Sequence, residues 1–279
     1  MLSKVRVKVN GKINLSLNIT GVKDGFHLLD SVVASVSVSD YITVRDRLDD
    51  KINLIFNADF VPKDNTVMKA VGALRKKFGN FGADIIVDKH IPLAGGMGGS
   101  SADAAGIIAA FTKLFDFDKR GLDERAICRE VGSDVFYMLR GGYARMQGIG
   151  DEVLPFACDR DIGFVYIYGG ETLTGEVYAA YDKLGGDGEV DNDELIKMLN
   201  GGGKIQLGNM LFRAACSLNP IISTNADAIR DIGLAPNMTG SGSVVYAVSS
   251  DPERDAAVLK ARGLSADFAF IRPHGIEYV

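Results

Sequence analysis

The sequence predicts an α+β fold of two domains, and three observations indicate it. The chain has 279 residues, which exceeds the usual size of one compact domain. Its first third alternates apolar and polar residues as β-strands do, whereas the second half mixes that alternation with helical spacing. Hydrophobic residues make up 47% of the chain, which is enough for a sizeable core. We place the domain boundary near residues 155–161, so the predicted domains are 1–157 and 158–279.

The elements follow in chain order. Valines alternate with charged or amide residues from Val5 to Val9, and the same period predicts further strands over 13–19, 32–38, 41–44, 52–56 and 83–87. Apolar residues at 67, 71, 74 and 78 predict a helix over 65–78, with Asp64 or Asn65 as its N-cap. Other helices are predicted over 102–114, 123–131, 134–139, 175–184, 193–199, 209–217, 223–232 and 252–262. Strand pairs joined by glycine turns are predicted over 141–155 and 235–250, and single strands over 164–168 and 269–272.

Composition excludes several function classes. The net charge is -5 and no segment is a basic stripe, so we expect no nucleic-acid partner. No run of about 18 apolar residues occurs, so we expect no membrane span. Three widely spaced cysteines, Cys128, Cys158 and Cys216, fit neither a disulfide framework nor a zinc site. With no secretory signal, these features predict a cytoplasmic protein.

The strongest functional signal is the run PLAGGMGGSSADAA, Pro92–Ala105, between a predicted strand and a predicted helix. Glycines let a ligand approach the backbone closely, and amide groups at a helix start bind phosphate. The run lacks both a Walker A ending and dinucleotide-fold spacing. We therefore predict an ATP phosphate loop, although a loop that only turns the chain remains possible. Its candidate residues are Gly95, Gly96, Met97, Gly98, Gly99, Ser100 and Ser101.

Two further segments supply charged candidates. Lys12 and Asn14 share one face of a predicted strand, where they could line a pocket, although such a pair is more often solvated. Asp134 precedes a short apolar stretch, where an aspartate is usually an N-cap. Phosphoryl transfer needs a proton acceptor and neutralised phosphate charge, and Asp134 with Lys12 could provide both.

Two weaker segments complete the set. Gly240, Ser241 and Gly242 form a second glycine turn, which predicts either a phosphate contact or a tight hairpin. Phe26 could stack on a flat ring and His27 could hydrogen-bond its edge. The ordinary alternative is a buried phenylalanine beside a surface histidine.

Taken in order, these segments resemble the kinase superfamily named after galactokinase, homoserine kinase, mevalonate kinase and phosphomevalonate kinase. Within it, the pieces GKINLSLNI and DGFHLLDSV are most similar to the 4-diphosphocytidyl-2-C-methyl-D-erythritol kinases. The sequence departs from that family's pattern at Phe136, where a proline is usual, at 169–170, and in the position of the serine pair.

The resemblance implies an S5-like N-terminal domain and a ferredoxin-like C-terminal domain, with ATP, Mg²⁺ and a cytidine-diphospho sugar alcohol meeting between them. It implies that Asp134 is the catalytic base and that Lys12 is its electrostatic partner. No metal-ligating residue is predicted, and the sequence leaves open whether Mg²⁺ is held by side chains or mainly by ATP oxygens. Phe26 and His27 would bind cytosine, Asn14 would lie beside the erythritol, and 240–242 would close the site. A monomer or homodimer is expected. The alternatives are a sister kinase for another small alcohol and a non-catalytic nucleotide-binding protein.

Overall fold

The computed structural model describes residues 3–57 and 65–279. Within these ranges thirteen strands are linked by hydrogen bonds and nine α-helices pack on them, which gives a mixed α+β architecture. The strands are β1 Lys4–Asn14, β2 Ser16–Lys23, β3 Phe26–Arg47, β4 Ile52–Asn57, β5 Gly82–Asp88, β6 Tyr143–Gly148, β7 Glu152–Pro155, β8 Gly163–Ile167, β9 Gly208–Asn209, β10 Asn237–Met238, β11 Val245–Ser249, β12 Ala266–Arg272 and β13 Ile276–Tyr278. The helices are α1 Thr66–Phe78, α2 Gly99–Phe115, α3 Glu124–Val131, α4 Val135–Arg140, α5 Thr174–Leu184, α6 Asn192–Gly201, α7 Phe212–Leu218, α8 Pro220–Arg230 and α9 Pro252–Ala261.

Strand β3 organises the sheet. The sequence predicts separate strands over 32–38 and 41–44, but the structure has one strand of 22 residues. It contains neither glycine nor proline, so nothing in it forces a turn. Along its length β3 pairs antiparallel with β1, β2, β5, β6 and β12. One continuous strand therefore spans the first half of the molecule and joins it to the second.

Two apolar clusters hold the layers together. The first lies between the strands of the first half and helices α1 to α4, and it includes the fully buried Phe111, Phe117 and Tyr137. The second gathers residues of β8, β11 and α7 to α9 with Leu17 of β2. Strand β12 pairs with β8 through Ala266 and with β3 through Arg272, so the sheet is continuous between them. The boundary at 157 and 158 stays a prediction.

Most helices begin close to their predicted positions, and the differences have local causes. Asn65 accepts a hydrogen bond from the Met68 amide and caps α1, as predicted; the alternative cap, Asp64, lies outside the described residues. Helix α2 begins at Gly99, three residues earlier than predicted, because Gly98 takes the left-handed conformation that starts it. Helix α7 begins later than predicted, because residues 208–209 pair with β2 instead. Among the described residues no helix combines the length and apolar character needed to cross a membrane.

Candidate active site

The glycine-rich run forms an open loop between β5 and α2. Its backbone enters the left-handed region at Ala94, Gly96 and Gly98, with φ values of 49°, 79° and 76°. The first amides of any α-helix lack intrahelical acceptors, and the N-cap Gly98 has no side chain to cap those of α2. Such a helix start favours an anion. The predicted phosphate-binding role of the loop agrees with this uncapped helix start and stays a prediction.

The two serines of the loop differ in exposure. Ser100 is exposed and Ser101 is half-buried, and neither hydroxyl bonds to another described residue. The backbone carbonyl of Ser100 accepts a hydrogen bond from Thr66 Oγ1 at 2.7 Å, which ties this point to the start of α1. Both hydroxyls are thus available to a ligand, and which one contacts phosphate stays a prediction.

Lys12 and Asn14 are buried beside this loop, so the solvated-face interpretation is wrong. Each is 6% exposed, and Lys12 Nζ donates to Asn14 Oδ1 at 2.5 Å. The amide N–H of Lys12 donates to the carbonyl of Met97 at 3.0 Å, which fixes β1 against the loop. Met97 itself is buried, and its contact with ATP stays a prediction. A Cβ on Gly98 would lie 3.2 Å from Lys12 Cγ, so the lysine passes directly beside the helix start.

Asp134 precedes α4 but does not act as a side-chain cap. Its backbone is helical and its carboxylate accepts no hydrogen bond from the amides of α4. Among the described residues the Asp134 carboxylate has no hydrogen-bond partner, and the residue is half-buried. Burial lowers the pKa of Lys12, and the charge of Asp134 opposes that shift. The charge of Asp134 therefore acts on Lys12, although 122 positions separate the two residues in the sequence.

The second glycine turn packs on the first. Gly240 N donates to Asn14 Oδ1 at 2.9 Å, and Thr239 Oγ1 donates to the carbonyl of Gly96 at 3.1 Å. A Cβ on Gly96 would lie 2.1 Å from the Thr239 carbonyl oxygen, so only glycine allows this approach. Ser241 is buried and shares a hydrogen bond of 2.9 Å with Thr174. The second glycine turn thus connects the glycine-rich loop to Asn14, whereas a simple hairpin turn would make no such contacts.

The alternative of a buried Phe26 beside a surface His27 is wrong. Phe26 is 63% exposed, whereas the His27 side chain is 15% exposed. His27 Nε2 lies 2.7 Å from Asp182 Oδ1 on α5. Because an ionised carboxylate only accepts, Nε2 carries the hydrogen, and in the neutral ring Nδ1 is left as an acceptor.

Sequence reasoning missed Tyr178. Its ring centroid lies 4.7 Å from that of His27, and the rings are tilted by 32°. Burial, with the charge of Asp134, raises the pKa of Tyr178 to about 12. Tyr178 therefore contacts one predicted substrate residue, His27, and is influenced by the charge of the predicted base. The only sequence signal was the helical stretch itself, since nothing local shows that α5 faces β3.

Comparison with known proteins agrees with this geometry. The model of the GHMP kinases N terminal domain matches residues 65–142. A 4-diphosphocytidyl-2-C-methyl-D-erythritol kinase of Cutibacterium acnes is 36% identical over 258 residues, covering 85% of this chain and 83% of the relative. The chain belongs to the 4-diphosphocytidyl-2-C-methyl-D-erythritol kinase family. A Caldanaerobacter subterraneus member of this family is 31% identical, with 90% of each chain covered. The expected resemblance and the expected ATP-dependent kinase are thereby confirmed.

Solved structures confirm the fold. A crystal structure of a 4-(cytidine 5'-diphospho)-2C-methyl-D-erythritol kinase has a TM-score of 0.80 at 26% identity, covering 95% of this chain and 98% of the other. A homoserine kinase from Cytophaga hutchinsonii has a TM-score of 0.66 at 16% identity, covering 100% of this chain and 98% of the other. The second likeness shows the fold alone. This kinase family and its wider relatives thus share the predicted α+β architecture.

Proposed function

We propose that this chain transfers the γ-phosphate of ATP to the 2-hydroxyl of 4-diphosphocytidyl-2-C-methyl-D-erythritol, in the non-mevalonate route to isoprenoid precursors. The names of its relatives support the substrate. The observation that carries the chemistry is the carboxylate of Asp134, which accepts no hydrogen bond from another described residue and whose charge acts on the Lys12 ammonium beside the loop. A capping aspartate would be engaged with its helix instead.

Asp134 is the proposed base. The hydroxyl oxygen forms a bond to the γ-phosphorus, the bond from that phosphorus to the β-phosphate oxygen breaks, and ADP leaves. The hydroxyl proton passes to the Asp134 carboxylate. Lys12 holds the charge of the transferring group, and the phosphate in turn favours the ammonium form that burial disfavours. Asn14 orients Lys12 through the bond to its Nζ.

Gly95–Ser101 are the proposed phosphate ligands, through backbone amides and a serine hydroxyl. The described residues contain no cluster of three or more carboxylate, histidine or cysteine side chains that could hold a metal. A serine hydroxyl with ATP oxygens fits Mg²⁺, which commonly keeps several of its waters. Bound in this way, Mg²⁺ would neutralise phosphate charge.

The cytosine is proposed to lie between Phe26 and the rings of His27 and Tyr178. The exposed face of Phe26 supports stacking, and the acceptor Nδ1 of His27 suits the exocyclic amine of cytosine better than the oxygen of uracil. We further propose that 240–242 close the site through their contact with Gly96. The reaction is placed in the cytoplasm, where ATP is abundant, and either a monomer or a homodimer could perform it.

Asp134→Ala tests the assignment. Loss of a general base should lower kcat by about 10³-fold, while the affinity for a non-hydrolysable ATP analogue persists. Turnover is measured by coupled ADP release, and affinity by calorimetry. Near-normal turnover in the variant would contradict the role of Asp134. Activity of the unmutated chain with homoserine or mevalonate, and none with the cytidyl alcohol, would contradict the substrate.

A matched control separates catalysis from capping. Asp123 does cap its helix, because its side chain accepts from the Ala126 amide at 3.0 Å. Asp123→Ala should therefore lower the free energy of unfolding by about 1 kcal/mol with turnover preserved. Asp134→Ala should lose turnover while its free energy of unfolding is preserved. Equal loss of stability in both variants would favour the capping interpretation.

A further inference from the structure

A buried lysine lies between two buried carboxylates beneath the phosphate loop. Lys89 Nζ is 2.5 Å from Asp40 Oδ2 and 2.7 Å from Asp103 Oδ2. The three side chains are 6%, 0% and 4% exposed, so they do not contact a ligand in solvent. Removing charges from water is costly, and a buried ion pair is therefore weak support for stability alone. We name Asp40, Lys89 and Asp103 the Lys89 cluster.

The Lys89 cluster reaches both ends of the phosphate loop. Asp40 Oδ1 accepts hydrogen bonds from the His90 and Ile91 amides at 2.5 and 2.8 Å, immediately before the loop begins. Lys89 Nζ also lies 3.4 Å from the carbonyl oxygen of Gly99, where the loop becomes α2. Asp103 extends this contact into the first turns of α2. A single carboxylate on β3 thus anchors the start of the loop directly and its end through the lysine.

The Lys89 cluster contains one more acidic than basic side chain. Two carboxylates share one ammonium, and Asp103 Oδ1 is buried without a hydrogen-bond partner among the described residues. Burial raises the pKa of Asp103 to about 7; Lys89 opposes the shift and the charge of Asp40 adds to it. Such a group is expensive to keep inside a core, and its position at the start of α2 offers a reason for its presence.

We propose that the Lys89 cluster is a positioning device that holds the phosphate loop and the start of α2 in the geometry that binds the phosphates of ATP. Its three residues act through the backbone of the loop. The inference rests on the proposed kinase function for the identity of the ligand. It adds a mechanism that sets nucleotide affinity, separate from the residues that touch ATP.

Asp103→Ala is the principal test, because it removes the ion pair between Lys89 and α2 and leaves Lys89 paired with Asp40 and in contact with the Gly99 carbonyl. The dissociation constant of the Mg²⁺ complex of a β,γ-imido ATP analogue should rise about tenfold, as for other supporting residues behind a ligand site. The KM for the alcohol substrate should not change. Asp103→Asn keeps an acceptor oxygen for Lys89 and should recover most of the affinity. Unchanged nucleotide affinity in Asp103→Ala, or an equal rise in both constants, would overturn the proposal.

Lys8→Met is the matched control. Lys8 on β1 bonds to Glu277 at 3.2 Å and makes no side-chain hydrogen bond to the loop, so its loss should leave both constants unchanged. If Asp103→Ala does not fold, hydrogen exchange of Lys89→Gln replaces it. We expect the amides of residues 90–102 to exchange faster in Lys89→Gln than in the unmutated chain, and at the unmutated rate in Lys8→Met. Equal exchange rates of these amides in the two variants would overturn the proposal. Failure of the unmutated chain to phosphorylate the cytidyl alcohol, with ATP affinity intact, would refute the substrate and not the cluster.

Discussion

Replacing Gly96 by alanine should separate the two glycine turns of the site. The new Cβ would lie 2.1 Å from the carbonyl oxygen of Thr239 and 3.1 Å from that of Gly242. Both neighbours are backbone atoms, so no side chain can rotate away. Ordinary contact begins near 3.4 Å, and the turns must therefore move apart by about 1.3 Å. That movement breaks the bond from Thr239 Oγ1 to the carbonyl of Gly96.

The size of the effect follows from two costs. Gly96 has φ of 79°, where a side chain costs about 1–2 kcal/mol. Overpacking against Thr239 adds about 1–3 kcal/mol, so the free energy of unfolding should fall by about 2–5 kcal/mol in all. A misplacement of about 1 Å at a reacting centre costs about 10²-fold in rate. We therefore expect kcat/KM to fall about 10²-fold, which is about 2.7 kcal/mol of transition-state stabilisation.

Gly121→Ala isolates the backbone cost. Its φ is 78°, almost the same as that of Gly96, but a Cβ there meets nothing within 4 Å. It should lose about 1–2 kcal/mol of stability and no activity. Urea unfolding measures the first quantity, and coupled ADP release with the cytidyl alcohol measures the second. If Gly96→Ala keeps kcat/KM within about threefold of Gly121→Ala, contact between the two turns does not support catalysis.

Three further predictions concern charged groups. Lys12→Met should lower kcat/KM about 10²-fold without lowering the thermal midpoint, because burial already disfavours its charge; a large fall in the midpoint would contradict this. Asp182→Asn should raise the KM for the cytidyl alcohol about threefold or more and leave the KM for ATP unchanged, because Asp182 no longer fixes the tautomer of the His27 imidazole. An equal rise in the KM for ATP would refute this prediction. Burial beside Lys89 and Asp40 raises the pKa of Asp103 to about 7, from about 4 in the unfolded chain. The folded state therefore binds the extra proton between these values, and the free energy of unfolding should fall as pH rises from about 4 to 7, by at most about 1.4 kcal/mol per pH unit. Urea unfolding across that range should show a smaller slope in Asp103→Asn, and equal slopes would exclude the titration.

Periodicity predicted most elements, and it failed where pairing partners decide the outcome. The spacing over 65–78 gave α1 because its buried face has the helical period. Residues 39–40 looked like a break between two strands, yet β3 continues through them because Asp40 is buried in the Lys89 cluster and not in a turn. Strands β9 and β13 were missed, since each is short and exists only through a distant partner.

The candidate site was predictable as residue types but not as an arrangement. Lys12 on a strand and Asp134 before a helix each had a commoner structural interpretation. Only the fold shows that Lys12 is buried and that the Asp134 side chain does not cap its helix. The Lys89 cluster had one signal that was overlooked. Asp103 stands in an otherwise apolar stretch of helix, where a buried carboxylate requires a partner. Neither Lys89 nor Asp40 could be named as that partner from spacing.

The pairing of β1 with β13 has a consequence for synthesis of the protein. Strand β1 carries Lys12, and one of its edges is covered by residues far later in the chain, such as Glu277, which lies 269 positions after its partner Lys8. Thr239, whose hydroxyl donates a hydrogen bond to the Gly96 carbonyl, is also synthesised late. In a ribosome-bound chain that ends before these residues, one edge of β1 is unpaired and the glycine-rich loop at Gly96 lacks its contact with Thr239. The proposed kinase site is therefore complete only after residues 237–278 have been translated.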